Sequence, residues 1–99
     1  MWNTMNANEL TKQILEYCRL KGHFVFRMNN YATKQRANIM TRGCGDIMGC
    51  TKNGKALSIE IKVGNDRQSS YQKDFEAHYK KRGGIYILAH ELEDVTEVI

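Results

Sequence analysis

Two carboxylates and a lysine in the middle of this 99-residue sequence could perform catalysis together. Asp46 follows a glycine-rich turn, and Glu60 and Lys62 are two residues apart on an apolar strand. Carboxylates collected in this way suit Mg²⁺, which can neutralise the charge of a phosphodiester and activate a water molecule. Lys62 would emerge on the same strand face as Glu60, where it could contact the attacking water or the phosphate. The pattern therefore predicts metal-dependent hydrolysis of a phosphodiester, with Asp46 and Glu60 as metal ligands.

Three further groups are candidate members of the same site. The backbone carbonyl of Ile61 could add an oxygen ligand to the metal. Gln72, in the first turn of the next predicted helix, could orient water or Lys62. Glu9 could supply an extra carboxylate from the first turn of the first helix, although Asn6 and Glu9 also have the spacing of a capping box. The sequence leaves both roles of Glu9 open.

Each candidate also has a purely structural interpretation. Asp46 could be a turn residue, and Glu60 with Lys62 could form a solvated strand face. Ser69 and Gln72 have the spacing of a second capping box, so Gln72 could serve only to start its helix. The order and spacing of the whole set favour the metal-site hypothesis more than any single member does.

The spacing of apolar residues predicts one α/β domain over residues 1–99 that would position these groups. Three- and four-residue spacing indicates helices, and alternation indicates strands. Within the first strand, Phe24, Phe26 and Met28 share one face, opposite Val25 and Arg27. The last strand follows a β-helix-β connection and should run parallel to the third, giving a mixed sheet with helices packed on it. The predicted elements are helix 6–21, strands 23–29, 46–51 and 55–63, helix 69–82, strand 85–89, and a last helical turn or two within 91–99.

The turn between the second and third strands decides whether the two carboxylates can meet. A two-residue Asn53-Gly54 turn would leave Asp46 pointing away from Glu60. A three-residue loop with Gly54 in the left-handed conformation would pair Thr51 with Lys55, and Asp46 with Glu60. Because a slip of one residue moves every side chain to the other face, a metal site requires the three-residue loop.

Charge and cysteine content restrict the class of protein. The net charge is +4, and the 29 residues from Tyr17 to Gly45 contain six basic residues and no acidic one. Such a basic half is typical of proteins that bind polyanions such as nucleic acid. No apolar run is long enough to span a membrane, and three cysteines without a CxxC pair argue against zinc or a disulfide scaffold. We therefore expect a cytoplasmic protein with reduced cysteines and no membrane partner.

These motifs together resemble the VRR-NUC (virus-type replication-repair nuclease) family of the PD-(D/E)xK superfamily. The resemblance covers nearly the whole chain, and its motifs are Gly43-x-Gly45-Asp46-Ile47-x-Gly49, Ile59-Glu60-Ile61-Lys62 and the segment 67–72. It implies a restriction-endonuclease-like αβββαβ core, with a mixed four-stranded sheet flanked by helices. One departure is visible: Gly45 occupies the position of the proline that gives the superfamily its name.

The resemblance also implies roles for individual residues. Asp46 and Glu60 match the metal-binding acids, Lys62 the catalytic lysine and Gln72 the glutamine of the following helix, with Glu9 matching the acid of the first helix more loosely. Mg²⁺ or Mn²⁺ would be the cofactor. Branched DNA such as a Holliday junction would be the substrate. Small standalone phage or bacterial members resemble phage Holliday-junction resolvases that work as dimers, so the resemblance implies a homodimer that acts inside the cell.

The sequence predicts which residues would contact DNA and leaves rival functions open. The candidate DNA-binding residues are basic: Arg27, Lys34, Arg36, Arg42 and Arg67. A chain of this size has little surface for reading bases, so contacts with the backbone and the shape of the DNA should dominate. The alternatives are a non-catalytic nucleic-acid-binding module and a small interaction protein whose acidic tail pairs with the basic half of another copy.

Overall fold

The computed structural model describes residues 5–28 and 43–99. They form three helices, α1 (Ala7–Leu20), α2 (Ser70–Lys81) and α3 (Glu93–Thr96). They also form four strands, β1 (Phe24–Arg27), β2 (Ile47–Cys50), β3 (Ala56–Ile61) and β4 (Ile85–Ala89). The predicted αβββαβ order is confirmed, with strands one to two residues shorter at their ends than predicted, except β4. The predicted loop 30–42, with Lys34, Arg36 and Arg42, lies outside the described residues.

The strands form one mixed sheet in the order β1-β2-β3-β4, in which only β3 and β4 are parallel. Helix α1 packs on one face of it. Its buried residues Leu10, Ile14 and Cys18 meet a row of inward side chains from the strands, which includes Val25, Ile47, Leu57, Ile59 and Ile87. Burial of this apolar face, at about 25 cal/mol per Å², is the main force that holds the sheet on the helix.

Helix α2 covers part of the opposite sheet face, beside β4. Its Phe75 ring contacts the Tyr86 ring of β4 with centroids 6.1 Å apart and stacks on Tyr79 at 5.1 Å. These aromatic contacts fix where α2 lies, and therefore where its first turn meets β3. No helix among the described residues is long and apolar enough to cross a membrane.

The β2–β3 hairpin has the register that the metal-site hypothesis requires. The Thr51 amide donates to the Lys55 carbonyl at 2.8 Å, and Gly54 has a φ of +86°, which glycine adopts at little cost. Ile47 is paired with Ile59 and Cys50 with Ala56. The next position along the ladder places Asp46 opposite Glu60. The predicted three-residue loop is confirmed.

Candidate active site

Glu60 is the next-to-last residue of β3, and its side chain lies on the sheet face that α2 partly covers. Its side chain is almost wholly enclosed, and the residue is only 3% exposed. Oε2 accepts a hydrogen bond from Gln72 Nε2 at 2.7 Å and lies 3.4 Å from Lys62 Nζ. Oε1 is buried and has no hydrogen-bond partner among the described residues. A buried carboxylate oxygen without a partner is costly, so this atom points to a ligand that the protein itself does not supply.

The surroundings of Glu60 oppose its ionisation. Burial, and then the charge of the nearby Asp46 carboxylate, raise the pKa of Glu60 from 4.5 to about 7, although Lys62 acts in the opposite direction. The free protein therefore carries two carboxyl groups that are too close, and too poorly hydrated, to be ionised together at little cost. A bound cation would remove that cost.

Asp46 is held by the backbone of the strand beside it. Its Oδ2 accepts a hydrogen bond from the Ile61 amide at 2.8 Å, and its own carbonyl accepts one from the Met28 amide at 2.8 Å. These bonds place Asp46 between β1 and β3 with its carboxylate turned toward Glu60. The same contact brings the backbone of Ile61, the third candidate ligand, next to the Asp46 carboxylate.

Gly45 cannot be replaced by proline here, because the chain approaches β3 too closely. The Gly45 amide donates to the hydroxyl of the fully buried Ser58 at 3.1 Å. A Cβ at position 45 would lie 2.7 Å from the Ile59 carbonyl oxygen and still closer to Ser58 Oγ. A glycine rather than a proline at position 45 thus has a local cause: a polar residue on β3 uses the amide hydrogen that proline lacks.

Gly43 makes the second close approach of this loop. A Cβ there would collide with the Tyr71 carbonyl and lie 2.9 Å from the Gln72 amide nitrogen, and the φ of Gly43 is +86°. The Gly43-x-Gly45 motif therefore lies against the backbone of α2 on one side and β3 on the other. This packing brings the first turn of α2 within reach of Glu60.

Gln72 has the capping role that the sequence offered, and it also contacts Glu60. Its predicted role in orienting water or Lys62 stays a prediction. Its side-chain Oε1 accepts a hydrogen bond from the Ser69 backbone amide at 2.8 Å. Its backbone amide donates to Ser69 Oγ at 3.1 Å, which completes the capping box. Its Nε2 simultaneously donates to Glu60. The start of α2 and the orientation of Glu60 are consequently linked through one side chain.

The residues present fit a hard divalent cation that keeps part of its water shell. They offer two carboxylates and a backbone carbonyl, and the unpaired Oε1 of Glu60 is an oxygen donor without another function. No group of three or more His, Cys, Asp or Glu side chains suited to a metal ion occurs in residues 5–28 and 43–99. Mg²⁺ is commonly bound by only one or two carboxylates, with water and substrate oxygens completing its octahedron.

Glu9, Arg27 and Arg67 lie outside this cluster of contacts. Glu9 is exposed, and its Oε1 accepts from the Asn6 amide at 3.0 Å in the capping box of α1. Arg27 ends β1 and Arg67 precedes α2, and both are exposed. A role of Glu9 as a metal ligand and roles of the two arginines in binding DNA stay predictions.

Two residues near the carboxylates were not predicted from the sequence. Ser58 precedes Glu60 by two positions, so strand alternation alone could have placed its hydroxyl on the same face. Cys44 is half-buried, and burial together with the charges of Glu60 and Asp46 raises the pKa of its thiol. Its proximity to the acids depends on how the loop folds back, for which the sequence has no signal.

Comparison with known proteins shows the fold. No family model and no curated protein matches the sequence. A solved structure described as a VRR_NUC domain superposes with a TM-score of 0.72 at 17% identity, covering 93% of this chain and 91% of its own. A second, described as a VRR_NUC domain protein, has a TM-score of 0.71 at 17% identity and covers 98% and 87%. The chain therefore has the VRR-NUC fold, as the sequence resemblance implied.

Proposed function

We propose that this chain is a metal-dependent DNA endonuclease of the VRR-NUC type, which hydrolyses phosphodiester bonds. One observation carries the proposal: the buried and unpaired Oε1 of Glu60 lies in a cluster with Asp46, Lys62 and Gln72 at the end of β3. A purely structural carboxylate would have both oxygens satisfied.

Asp46, Glu60 and the Ile61 carbonyl would hold Mg²⁺ or Mn²⁺. When bound, the ion supplies charge neutralisation at the scissile phosphate and lowers the pKa of a coordinated water. The protein's part is to hold the ligands in place beforehand. The Ile61 amide fixes Asp46, and Gln72 fixes Oε2 of Glu60, so that Oε1 is left for the ion.

Lys62 is the group that would act on the phosphate or the attacking water. Its side chain is 15% exposed, and its ammonium is held near Glu60 by an ion pair at 3.4 Å, so Lys62 lies between the buried carboxylates and solvent. A cation at that boundary can donate hydrogen bonds to the negative charge that develops on the phosphate oxygens.

The proposed substrate is DNA with a branched or otherwise irregular structure, such as a Holliday junction. A net charge of +4 and a basic half without acids suit a polyanion, with Arg27, Lys34, Arg36, Arg42 and Arg67 as backbone contacts. A homodimer would present two sites to opposing strands of a junction. Three free cysteines fit action inside a cell.

Cleavage assays on a panel of DNA structures test the function directly. Labelled linear duplex, single strand, flap, fork and four-way junction would each be incubated with Mg²⁺, Mn²⁺ or EDTA. We expect cleavage with either metal, none with EDTA, and faster cleavage of a branched substrate. Binding of DNA without cleavage of any substrate would instead support the non-catalytic module.

Replacing Lys62 by methionine should slow cleavage by about 10²- to 10³-fold, because the transition state loses a charged hydrogen-bond donor. The long apolar methionine keeps most of the packing of the lysine stem. Single-turnover kinetics at saturating DNA and Mg²⁺ would measure the loss. Lys73→Met, at an exposed position on α2, is the matched control and should retain the wild-type rate. Equal cleavage rates for wild type, Lys62→Met and Lys73→Met would contradict a catalytic role for Lys62.

Cleavage should increase with pH up to about 7. Glu60, with a pKa raised from 4.5 to about 7, must release its proton before it can bind a cation. At Mg²⁺ concentrations below saturation, the logarithm of the rate should rise by about one per pH unit below the midpoint and level off above it. Raising Mg²⁺ should move the midpoint to lower pH, since metal and proton compete. A midpoint that metal concentration does not move would contradict ligation by Glu60.

A further inference from the structure

Among residues 5–28 and 43–99, two phenylalanines on β1 are large apolar side chains that remain exposed. Phe24 is 70% exposed and Phe26 is 46% exposed, whereas Val25 between them is buried against α1. The two rings contact each other edge to face, with centroids 6.2 Å apart and planes at 65°. In the order of the described strands, β1 is at one edge of the sheet.

These rings lie on the same sheet face as the candidate active site. Phe26 is paired with Met48, and Met48 is two residues from Asp46, so the three side chains point to one side. The Met28 amide bonds to the Asp46 carbonyl and continues the ladder to the carboxylates. Helix α2 packs beside β4, at the other edge of this face. An apolar strip therefore runs from the edge strand to Asp46.

The size of the strip favours small planar ligands over a second folded chain. The exposed parts of two phenylalanine side chains amount to an area on the order of 200 Å². A stable protein–protein interface needs about 800 Å² from each partner. The two ring centroids are 6.2 Å apart with planes at 65°, so the two rings can each contact a different unstacked base.

Charge around the strip is suited to the backbone of the same ligand. Lys21 precedes β1, and Lys52 and Lys55 lie at the tip of the neighbouring hairpin; all three are exposed. Arg27, at the end of β1, is also exposed but lies on the opposite face from the two phenylalanines. Exposed cations near exposed aromatic rings are a combination by which proteins hold single-stranded nucleic acid: cations contact the phosphates and bases stack on the rings.

We propose that Phe24 and Phe26 form a stacking site for unpaired nucleobases, on the same face as the catalytic carboxylates. The proposal rests on the proposed function, since it assigns the strip to the DNA that the nuclease would cut. Phenylalanine has no polar atom with which to read a base, so stacking here is independent of sequence. It would favour DNA with unpaired nucleotides beside the scissile bond, such as a fork or flap, over plain duplex.

The test compares binding of oligothymidylate and of blunt duplex to the full chain in EDTA, by fluorescence anisotropy. The Phe24→Leu/Phe26→Leu double variant keeps apolar bulk and loses the aromatic faces. We expect it to bind oligothymidylate at least about tenfold more weakly and duplex within about twofold of wild type. Phe24→Tyr/Phe26→Tyr should bind oligothymidylate like wild type. Leu20→Ala, at an exposed apolar position on α1, is the control and should change neither affinity.

Three results would overturn the stacking site. One is an unchanged affinity of the leucine variant for oligothymidylate, and another is an equal loss for duplex. The third is a dimer, seen by light scattering, that dissociates when both phenylalanines become alanine, which would assign the strip to a second copy. Cleavage of duplex with Mg²⁺ reports the proposed function separately. If wild type and leucine variant both cut, and both bind oligothymidylate equally, only the stacking proposal fails.

Discussion

Glu60→Gln should abolish metal-dependent cleavage and, in the absence of metal, make the protein more stable. The amide keeps the shape of the side chain and can still accept from Gln72, but it cannot bind a cation as a carboxylate does. We expect a loss of at least about 10³-fold in the cleavage rate, because both the metal ligand and its charge are lost.

The gain in stability follows from the raised pKa of Glu60, about 7 in the folded protein against an ordinary 4.5. Between those two pH values the folded protein holds a proton that the unfolded chain releases, so stability falls as pH rises and the loss is complete above about 7. At about 1.4 kcal/mol per pKa unit, ionisation of Glu60 lowers the free energy of unfolding by about 3 kcal/mol. Glutamine carries no such cost. In EDTA at pH 8, we therefore expect the melting temperature of Glu60→Gln to exceed that of wild type by about 10 °C.

The pH dependence and a second glutamate provide the controls. At pH 4 the two proteins should melt at similar temperatures, because Glu60 is then protonated. Saturating Mg²⁺ at pH 8 should stabilise wild type and not the variant. Glu76 is ion-paired with Lys80 at 2.7 Å on the surface of α2. Glu76→Gln should leave cleavage unchanged and cost less than about 1 kcal/mol. A Glu60→Gln variant that melts below wild type in EDTA at pH 8 would show that Glu60 is not destabilising.

Gly45→Pro should damage both the fold and the site. Proline cannot donate to Ser58 Oγ, and its ring would occupy space within 2.7 Å of the Ile59 carbonyl oxygen. An unsatisfied buried hydroxyl and overpacking each cost about 1–3 kcal/mol. We expect a loss of about 3 kcal/mol or more in the free energy of unfolding, measured with urea. Cleavage should fall even where the variant is folded, because Asp46 is displaced from the Ile61 amide.

A milder variant and a double-mutant cycle separate the steric cause from a general glycine effect. Gly45→Ala should cost about 1–3 kcal/mol. Ser58→Ala removes the nearest atom to the new methyl group, so Gly45→Ala should cost less in that background. Gly83→Ala is the matched control. Nothing lies within 4 Å of a Cβ there, and only its φ of +89° opposes a side chain. Additive effects of the changes at 45 and 58 would disprove the proposed contact.

The secondary structure and the hairpin register were predictable because local signals encode them. Alternating apolar residues predicted β1 and β3, and a short apolar run after a helix predicted β4. The cap residues Asn6 and Ser69 began the two long helices as expected. A glycine at the third position of a short loop set the pairing of Thr51 with Lys55, and with it the approach of Asp46 to Glu60. Backbone conformation over a few residues determines such features, and a sequence shows it directly.

The electrostatic state of the site could not be predicted from the sequence. An acid and a lysine two apart on a strand are compatible with a solvated surface. Glu60 is instead buried, with Gln72 from the first turn of α2 bonded to it, and the contact of Phe75 with Tyr86 helps to position that helix on β4. Contacts between residues far apart in the chain decide burial, and burial decides the pKa and whether an oxygen is left without a partner.

The sequence alone thus determined which residues could reach one sheet face: Asp46, Glu60 and Lys62, through strand alternation and the length of one turn. Only the tertiary structure decided how buried that face is and which hydrogen bonds its side chains make. It turned the Gly43-x-Gly45 turn into a contact between β3 and α2, gave Gln72 a capping bond and a bond to Glu60 together, and left one carboxylate oxygen unpaired. The physical reason is that periodicity and turn geometry act over a few residues, whereas desolvation and hydrogen-bond satisfaction depend on every element that packs against a site.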